Sequence, residues 1–172
     1  MGHFSSPVRL ERAHVREGFD SGAVELDDWL VRFAWENQRA NNVTTFVSTV
    51  GGRVAGYYAL TVASIAKANA PDVLSKGSPQ QIGCALLARL AVDRSFQGAG
   101  LGTALLTDCF RRAAQLSTEI GLKALLVHCR DVAARDFYLP KADFHASPVE
   151  DLQLLLPMKW IIAQMQPGQP LG

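Results

Sequence analysis

The sequence predicts an α/β (α+β) domain, a mixed sheet with helices on its faces. Three observations carry that reading. Apolar or β-branched runs, Thr44–Val50, Val54–Ile65, Ile82–Val92 and Leu122–Val127, are bounded by glycine, proline and Asn/Asp breakers, as strands are. From Leu101 the apolar residues fall at 101, 105, 106, 109, 110, 113 and 116, one face of an α-helix. Strand-like and helix-like segments then follow one another in the order β-α-β-β-β-α-β-α-β-β, a pattern of layered helices and sheet.

Each element has a local reason. Val8–Arg12 reads as an edge strand, and Phe19-Asp20-Ser21-Gly22 opens a helix with Asp20 or Ser21 as N-cap. That helix has an apolar face of Val24, Leu26, Trp29, Leu30, Phe33 and Ala34, with Arg32, Glu36, Gln38 and Arg39 largely elsewhere, and Asn41-Asn42 end it. Gly51-Gly52 is a hairpin signal between Thr44–Val50 and a partner long enough to bend or bulge. Pro71, Gly77 and Pro79 mark Ala70–Gln81 as a loop with room for one helical turn. Ile82–Val92 is the central strand, and Gln97 or Gly98 starts the main helix, which runs to about Thr118. Asp131 caps a helix through Tyr138 that Pro140 ends, and Phe144–Ala146 and Leu152–Met158 are the last strands.

The 172 residues predict one domain over 1–172 with a frayed tail at about 164–172, where Pro167 and Pro170 fall. Hydrophobic residues make up 48% and charged residues 19%, which excludes a disordered chain. The net charge of +1 leaves any basic binding surface to a local patch. No apolar run approaches a membrane span, and Met1–Arg16 has no signal-peptide core, so the expected location is the cytoplasm, away from membranes. Cys84, Cys109 and Cys129 form neither a C-x-x-C pair nor an even set, and His128 and Cys129 point to opposite faces of a strand. The expectation is reduced thiols and no metal.

The most informative stretch is Leu86–Leu106, where an apolar run gives way to a polar turn, then glycines, then the main helix. Gly98, Gly100 and Gly102 leave backbone N–H groups uncovered at a helix N-terminus, a setting that favours phosphate or pyrophosphate. The spacing is not the dinucleotide G-x-G-x-x-G, and no Walker Lys-Ser/Thr follows. Gln97-Gly98-Ala99-Gly100-Leu101-Gly102 instead fits Gln/Arg-x-x-Gly-x-Gly/Ala. Preceded by Leu90-Ala91-Val92-Asp93, it resembles the acetyl-CoA pyrophosphate loop of the GCN5-related N-acetyltransferases (GNAT). Asp131-Val132-Ala133-Ala134-Arg135-Asp136-Phe137-Tyr138 resembles that family's Asn/Asp-x-x-Ala-x-x-Phe-Tyr motif. Phe19–Gly22, Gly56–Leu60, Arg89–Asp93, Ala124–His128 and Leu152–Lys159 are similar to the branch of acetyltransferase toxins of toxin–antitoxin pairs, which acetylate aminoacyl-tRNA.

The resemblance implies a GNAT fold, with a mostly antiparallel sheet splayed at the acetyl-CoA site. It implies acetyl-CoA as donor, held by Leu90, Ala91, Val92, by Gln97, Gly98, Ala99, Gly100, Leu101, Gly102 and Thr103, and by Asp131, Ala134 and Phe137. A backbone N–H of Leu90 or Val92 would polarise the thioester carbonyl. Tyr138 would protonate the departing thiolate, since a phenol of ordinary pKa about 10 carries its proton at pH 7. No general base stands out; His128 is one by type, but a histidine on a central strand is more often packed and hydrogen-bonded. An α-amine, with its ordinary pKa of about 8, needs a base less than a lysine does. Cys84 or Cys129 as acetyl carrier has no base beside it in sequence. Arg89 interrupts an apolar strand and so needs an anionic partner or a solvent outlet. Arg89, Arg32, Arg39 and Arg135, with Lys67 and Arg130, are candidates for an acceptor rim. The partners implied are aminoacyl-tRNA, a ribbon-helix-helix antitoxin and a second copy of the chain. The alternatives are acetylation of a small amine or a protein N-terminus, and a non-catalytic acyl-CoA-binding or DNA-regulating module. One departure stands out: the turn Leu139–Phe144 lacks the branch's glycine and is one residue longer.

Overall fold

The computed structural model describes residues 3–165. Seven strands form one sheet: β1 (Val8–Arg9), β2 (Thr44–Val50), β3 (Arg53–Ala66), β4 (Gln81–Val92), β5 (Ala124–His128), β6 (His145–Ala146) and β7 (Gln153–Pro157), in the order β1-β2-β3-β4-β5-β7-β6. The β4–β5 pair is parallel, and β1–β2, β2–β3, β5–β7 and β6–β7 are antiparallel. The helices are α1 (Val24–Asp28), α2 (Ala34–Arg39), α3 (Asp72–Ser75), α4 (Leu101–Ser117), α5 (Val132–Tyr138) and α6 (Met158–Gln164). Within the described residues the chain gathers into two compact units. One comprises the chain up to Thr61 together with Ala88–Cys109, and the other comprises Val62–Leu87 and the chain from Phe110 on.

In the first unit, Leu10, Phe19, Leu30, Ala34, Val47, Val54, Tyr57 and Ala91 make the core, with Leu26, Trp29 and Trp35 packed against it. A π-helical turn, Trp29–Phe33, joins α1 to α2, and the Ala34 N–H reaches back five residues to the Trp29 carbonyl. The added residue turns the later helix by about 100° relative to an uninterrupted one. The expected apolar face is accordingly only partly right from the turn onward, where Leu30 and Ala34 are buried but Phe33 is 44% exposed; Val24, ahead of the turn, is 78% exposed. Gln38, expected off that face, is buried; its amide donates to the Leu10 carbonyl (2.8 Å) and accepts from the Thr45 N–H (2.9 Å). It thereby satisfies backbone groups where β1 leaves off after Arg9, short of the expected Arg12.

Neither Asp20 nor Ser21 is the cap of α1, whose N-cap position is Ala23 without a side-chain bond. The two residues form a turn ahead of the helix: the Gly22 N–H donates to Asp20 Oδ1 and the Ala23 N–H to Ser21 Oγ. The expected irregularity of the long strand lies at Ala55. Ser48 pairs with Gly56 and Thr49 with Val54, leaving Ala55 as the extra residue of a bulge.

In the second unit, Ile65, Ala70, Leu74, Ile82, Cys84, Ala124, Leu126 and Leu155 form a core. Ala124–Val127 are all buried, the continuous apolar run of a strand covered on both faces. Full burial of each such leucine contributes roughly 1.5–3 kcal/mol. The sequence reading has no helix after its last strand, yet Met158–Gln164 is helical, and Met158 and Ile161 are buried. Gln164, expected at the start of the frayed tail, ends this helix, and 166–172 lie outside the described residues. No helix among the described residues is long and apolar enough to cross a membrane.

Candidate active site

The first set of candidate residues belongs to the first unit. β4 is in register with β5 from Cys84↔Ala124 to Leu87↔Val127, so Leu90, Ala91 and Val92 lie beyond the last registered pair. A bend follows at once. The Asp93 N–H donates to the carbonyl of Ala55, the bulge residue of β3 (2.9 Å). Asp93 Oδ1 accepts the Ser95 N–H, capping a 3₁₀ turn over Arg94–Phe96, and Oδ2 accepts the Asp20 N–H (3.0 Å). Asp20 answers through its carbonyl, which accepts the Arg94 N–H (2.8 Å), and its carboxylate, which pairs with Arg94 Nε (3.2 Å). Gln97 Nε2 donates to the Ser21 and Val92 carbonyls (3.0 and 2.9 Å). The Gln97 side chain therefore closes the loop upon itself, and what it offers a ligand is backbone.

The main helix starts at Leu101, later than expected, because Gly98 and Gly100 adopt φ of +83° and +84°. Those values suit glycine alone without strain, and an added Cβ at either would meet open space. The first helical bond of α4 is from the Ala104 N–H to the Gly100 carbonyl (3.0 Å). The amides of Leu101, Gly102 and Thr103 therefore precede it with no acceptor inside the helix, at the positive end of a helix of 17 residues. This geometry fits the diphosphate of acetyl-CoA: uncovered donors, no side chain above the two glycines, and a favourable dipole. Leu101, Leu105, Leu106, Cys109, Phe110 and Ala113 are buried, as the helical spacing predicts.

The second set belongs to the second unit. Asp131 is the N-cap of α5, its carboxylate accepting the Ala134 N–H (2.8 Å), and it pairs with Arg130 at 2.9 Å. Tyr138 is buried at the far end of α5, in edge contact with Phe137 (5.2 Å between centroids) and Phe144 (6.1 Å). The turn lacking glycine is built by a 3₁₀ segment, Leu139–Lys141, followed by an extended Ala142 at φ −163°. No residue of this turn has positive φ, which is why no glycine is required. Phe144 is delivered to the Tyr138 ring, and Lys141 Nζ lies 5.0 Å over Phe137.

Other candidates are less suited to chemistry. Burial pushes the Cys84 and Cys129 thiols up to about 11, so neither is a thiolate near neutral pH. His128 is exposed, with Nε2 3.2 Å from the Gln153 amide, where a packed strand histidine was expected. Arg32 pairs with Asp28 (3.3 Å) and overlies Phe33. Arg39 lines a groove of about 300 Å³ with Arg9, Leu10, Glu11, Trp35 and Gln38. Arg135 is half-buried, and its Nε is buried with no acceptor among the described residues.

Arg89 is half-buried, and its guanidinium carbon sits 4.4 Å from the centroid of Trp29. Trp29 is in turn stacked with Tyr57 (6.0 Å, 16°), whose hydroxyl donates to the Leu26 carbonyl (2.7 Å). Burial raises the Tyr57 pKa, and the nearby Arg89 charge opposes that rise. The sequence marks Trp29 only as a core position and is silent on Asp20 with Asp93, partners 73 residues apart.

The chain belongs to the acetyltransferase (GNAT) family, whose model matches residues 10–144. Among curated relatives it is 42% identical to a tRNA-acetylating toxin of Mycobacterium tuberculosis, over 92% of this chain and 95% of that protein. Among solved structures it is similar to the toxin AtaT complexed with acetyl-methionyl-tRNAfMet, at 23% identity and a TM-score of 0.87, covering 95% of this chain and 100% of that one. It is also similar to a tyrosine-to-phenylalanine mutant of AtaT bound to the C-terminus of the antitoxin AtaR and acetyl-CoA, at 22% identity and a TM-score of 0.81, covering 95% and 98%. At these identities the solved structures establish a shared fold.

Proposed function

We propose that this acetyltransferase moves an acetyl group from acetyl-CoA to the α-amino group of aminoacyl-tRNA, acting as a toxin that blocks translation and is neutralised by a cognate antitoxin. The observation that carries the reading is the 42% identity, over 92% of the chain, to a relative named for acetylating tRNA. The family model runs through both compact units, which supports a single catalytic domain over 1–172. A ribbon-helix-helix antitoxin, a homodimer and a cytoplasmic location belong to the same reading.

In this reading the amides of Gly98–Thr103 hold the donor's diphosphate, and the backbone of Leu90–Val92 holds its pantetheine arm. Asp131, Ala134 and Phe137 complete the donor contacts. Acetyl-CoA supplies the activated acyl group. The amine forms the new C–N bond as the C–S bond breaks; an N–H of Leu90 or Val92 stabilises the charge developing on the carbonyl oxygen. Tyr138 gives its proton to the thiolate, and the amine's proton leaves to solvent. With the Cys84 and Cys129 thiols protonated, direct attack is favoured over an acetyl-cysteine route through either.

The test is transfer from labelled acetyl-CoA to a mixture of charged tRNAs, with uncharged tRNA as control. Label is expected only on charged tRNA and is lost on mild deacylation. Release of CoA with small amines or peptides, and none with charged tRNA, would sink the reading.

A further inference from the structure

Arg89 is a half-buried cation on an otherwise apolar stretch of β4, and among the described residues it makes no ion pair or hydrogen bond. Two acids of the neighbouring helix are engaged elsewhere: Asp27 accepts the Ser21 N–H (2.9 Å) and hydroxyl, and Asp28 pairs with Arg32. Taking an unpaired charge partly out of water is unfavourable, so such a site is retained where a ligand supplies the counter-charge. The guanidinium is also held in place. Its carbon lies 4.4 Å over the Trp29 ring, and Trp29 is fixed by its stack with the fully buried Tyr57 and by the π turn that begins at its own carbonyl. A guanidinium laid on an aromatic face keeps its edge N–H groups free, a fork that matches two oxygens of one phosphate.

Position along the strand decides which phosphate. Arg89 precedes Val92 by three residues, about 10 Å at 3.3 Å each, and the diphosphate amides of Gly98–Thr103 come only after the bend that follows Val92. Arg89 is therefore displaced from the donor's diphosphate toward its thioester end, where the acceptor's terminus must arrive. The negative charge of a charged tRNA nearest its reacting amine is the last phosphodiester, immediately before the aminoacylated nucleoside. We propose that Arg89, laid on Trp29, is the receptor for that last phosphodiester of the acceptor. The proposal rests on the tRNA reading above and identifies the part of the acceptor the site holds.

The experiment is steady-state acetylation by wild type, Arg89→Gln and Arg89→Lys of two acceptors, charged tRNA and the phosphate-free 3′-O-aminoacyl-adenosine, at several salt concentrations. Arg89→Gln is expected to raise KM for charged tRNA by about 10–100-fold, with a smaller change in kcat. The kcat/KM ratio of charged tRNA to aminoacyl-adenosine should fall by a similar factor. The slope of log KM against log salt should drop by about 0.7, one single-strand phosphate contact. Arg89→Lys retains the charge but not the fork, so it should keep the slope while raising KM; it carries the test if the Gln variant does not fold. Equal losses on both acceptors, an unchanged salt slope in Arg89→Gln, or a raised KM for acetyl-CoA instead would overturn the proposal. A wild type that acetylates charged tRNA, beside an Arg89→Gln variant equal to it, overturns this inference alone. A wild type inactive on every charged tRNA overturns the functional reading and this inference with it.

Discussion

Tyr138 owes its placement to the residues around it. Asp131 starts α5, seven residues of helix carry the ring to the end, and Phe137 and Phe144 pack its faces and edges. The hydroxyl is the only part that Tyr138→Phe removes, so the aromatic packing survives. Turnover of that variant is expected to fall by about 10²-fold or more, with its thermal midpoint close to wild type by circular dichroism. Retention of full turnover would remove the acid role from Tyr138 while leaving the donor loop untouched. Cys84 and Cys129 show the opposite case: their chemistry is suppressed by their surroundings, since burial stabilises the neutral thiol.

At the scale of elements, the approach of α4 to β3 depends on Gly56. A Cβ there would lie 2.9 Å from Leu105 Cδ1, 3.1 Å from Leu101 Cδ2 and 3.2 Å from the Ala91 carbonyl oxygen. The helix whose first amides form the proposed diphosphate site is thus seated through leucines on a strand that presents no side chain at that point. Gly56→Ala should destabilise the protein by about 1–3 kcal/mol through overpacking, and raise KM for acetyl-CoA by moving the start of α4. Urea titration and donor kinetics check the two effects. A variant with wild-type midpoint and KM would mean that the leucines yield freely. The bulge residue Ala55 lies in the same neighbourhood, and its carbonyl accepts the Asp93 N–H where strand becomes loop. Tyr58, next but one to Gly56, donates to the buried Asp108 of α4 at 2.6 Å, a second tie between strand and helix.

For the molecule as a whole, the raised thiols make stability depend on alkaline pH. The folded values of Cys84 and Cys129, about 11, lie above their ordinary value of 9.0. The folded state therefore holds protons that the unfolded chain releases. Its advantage is fully present below pH 9 and is lost as pH rises toward 11. Burial of Tyr57 acts in the same direction at still higher pH. The urea midpoint should be flat from neutral pH to about 9 and decline above it. Replacing both cysteines with alanine should remove part of that slope, and an unchanged slope would assign the decline to other groups.

Much of this protein was legible without its structure, and the parts that were share a cause. The strands, the register of α4, the Asp131 cap and the turn at Gly98 and Gly100 follow from side-chain periodicity and from what one residue does to its immediate neighbours. Those are properties of a few consecutive residues, so the sequence determined them. Where local reading failed, a distant partner had intervened. Asp20 and Ser21 look like caps but serve a loop more than 70 residues away. Gln38 looks like a surface residue but satisfies the backbone of Leu10 and Thr45. The π turn moves Phe33 outward, and α6 follows a strand whose end carried no helix signal. Arg89 was visible as an interruption in an apolar run, but only the tertiary structure decided that its neighbour is an aromatic face and not a carboxylate. Local spacing specifies which backbone conformation is cheapest; which side chain meets which across the chain is decided by tertiary packing.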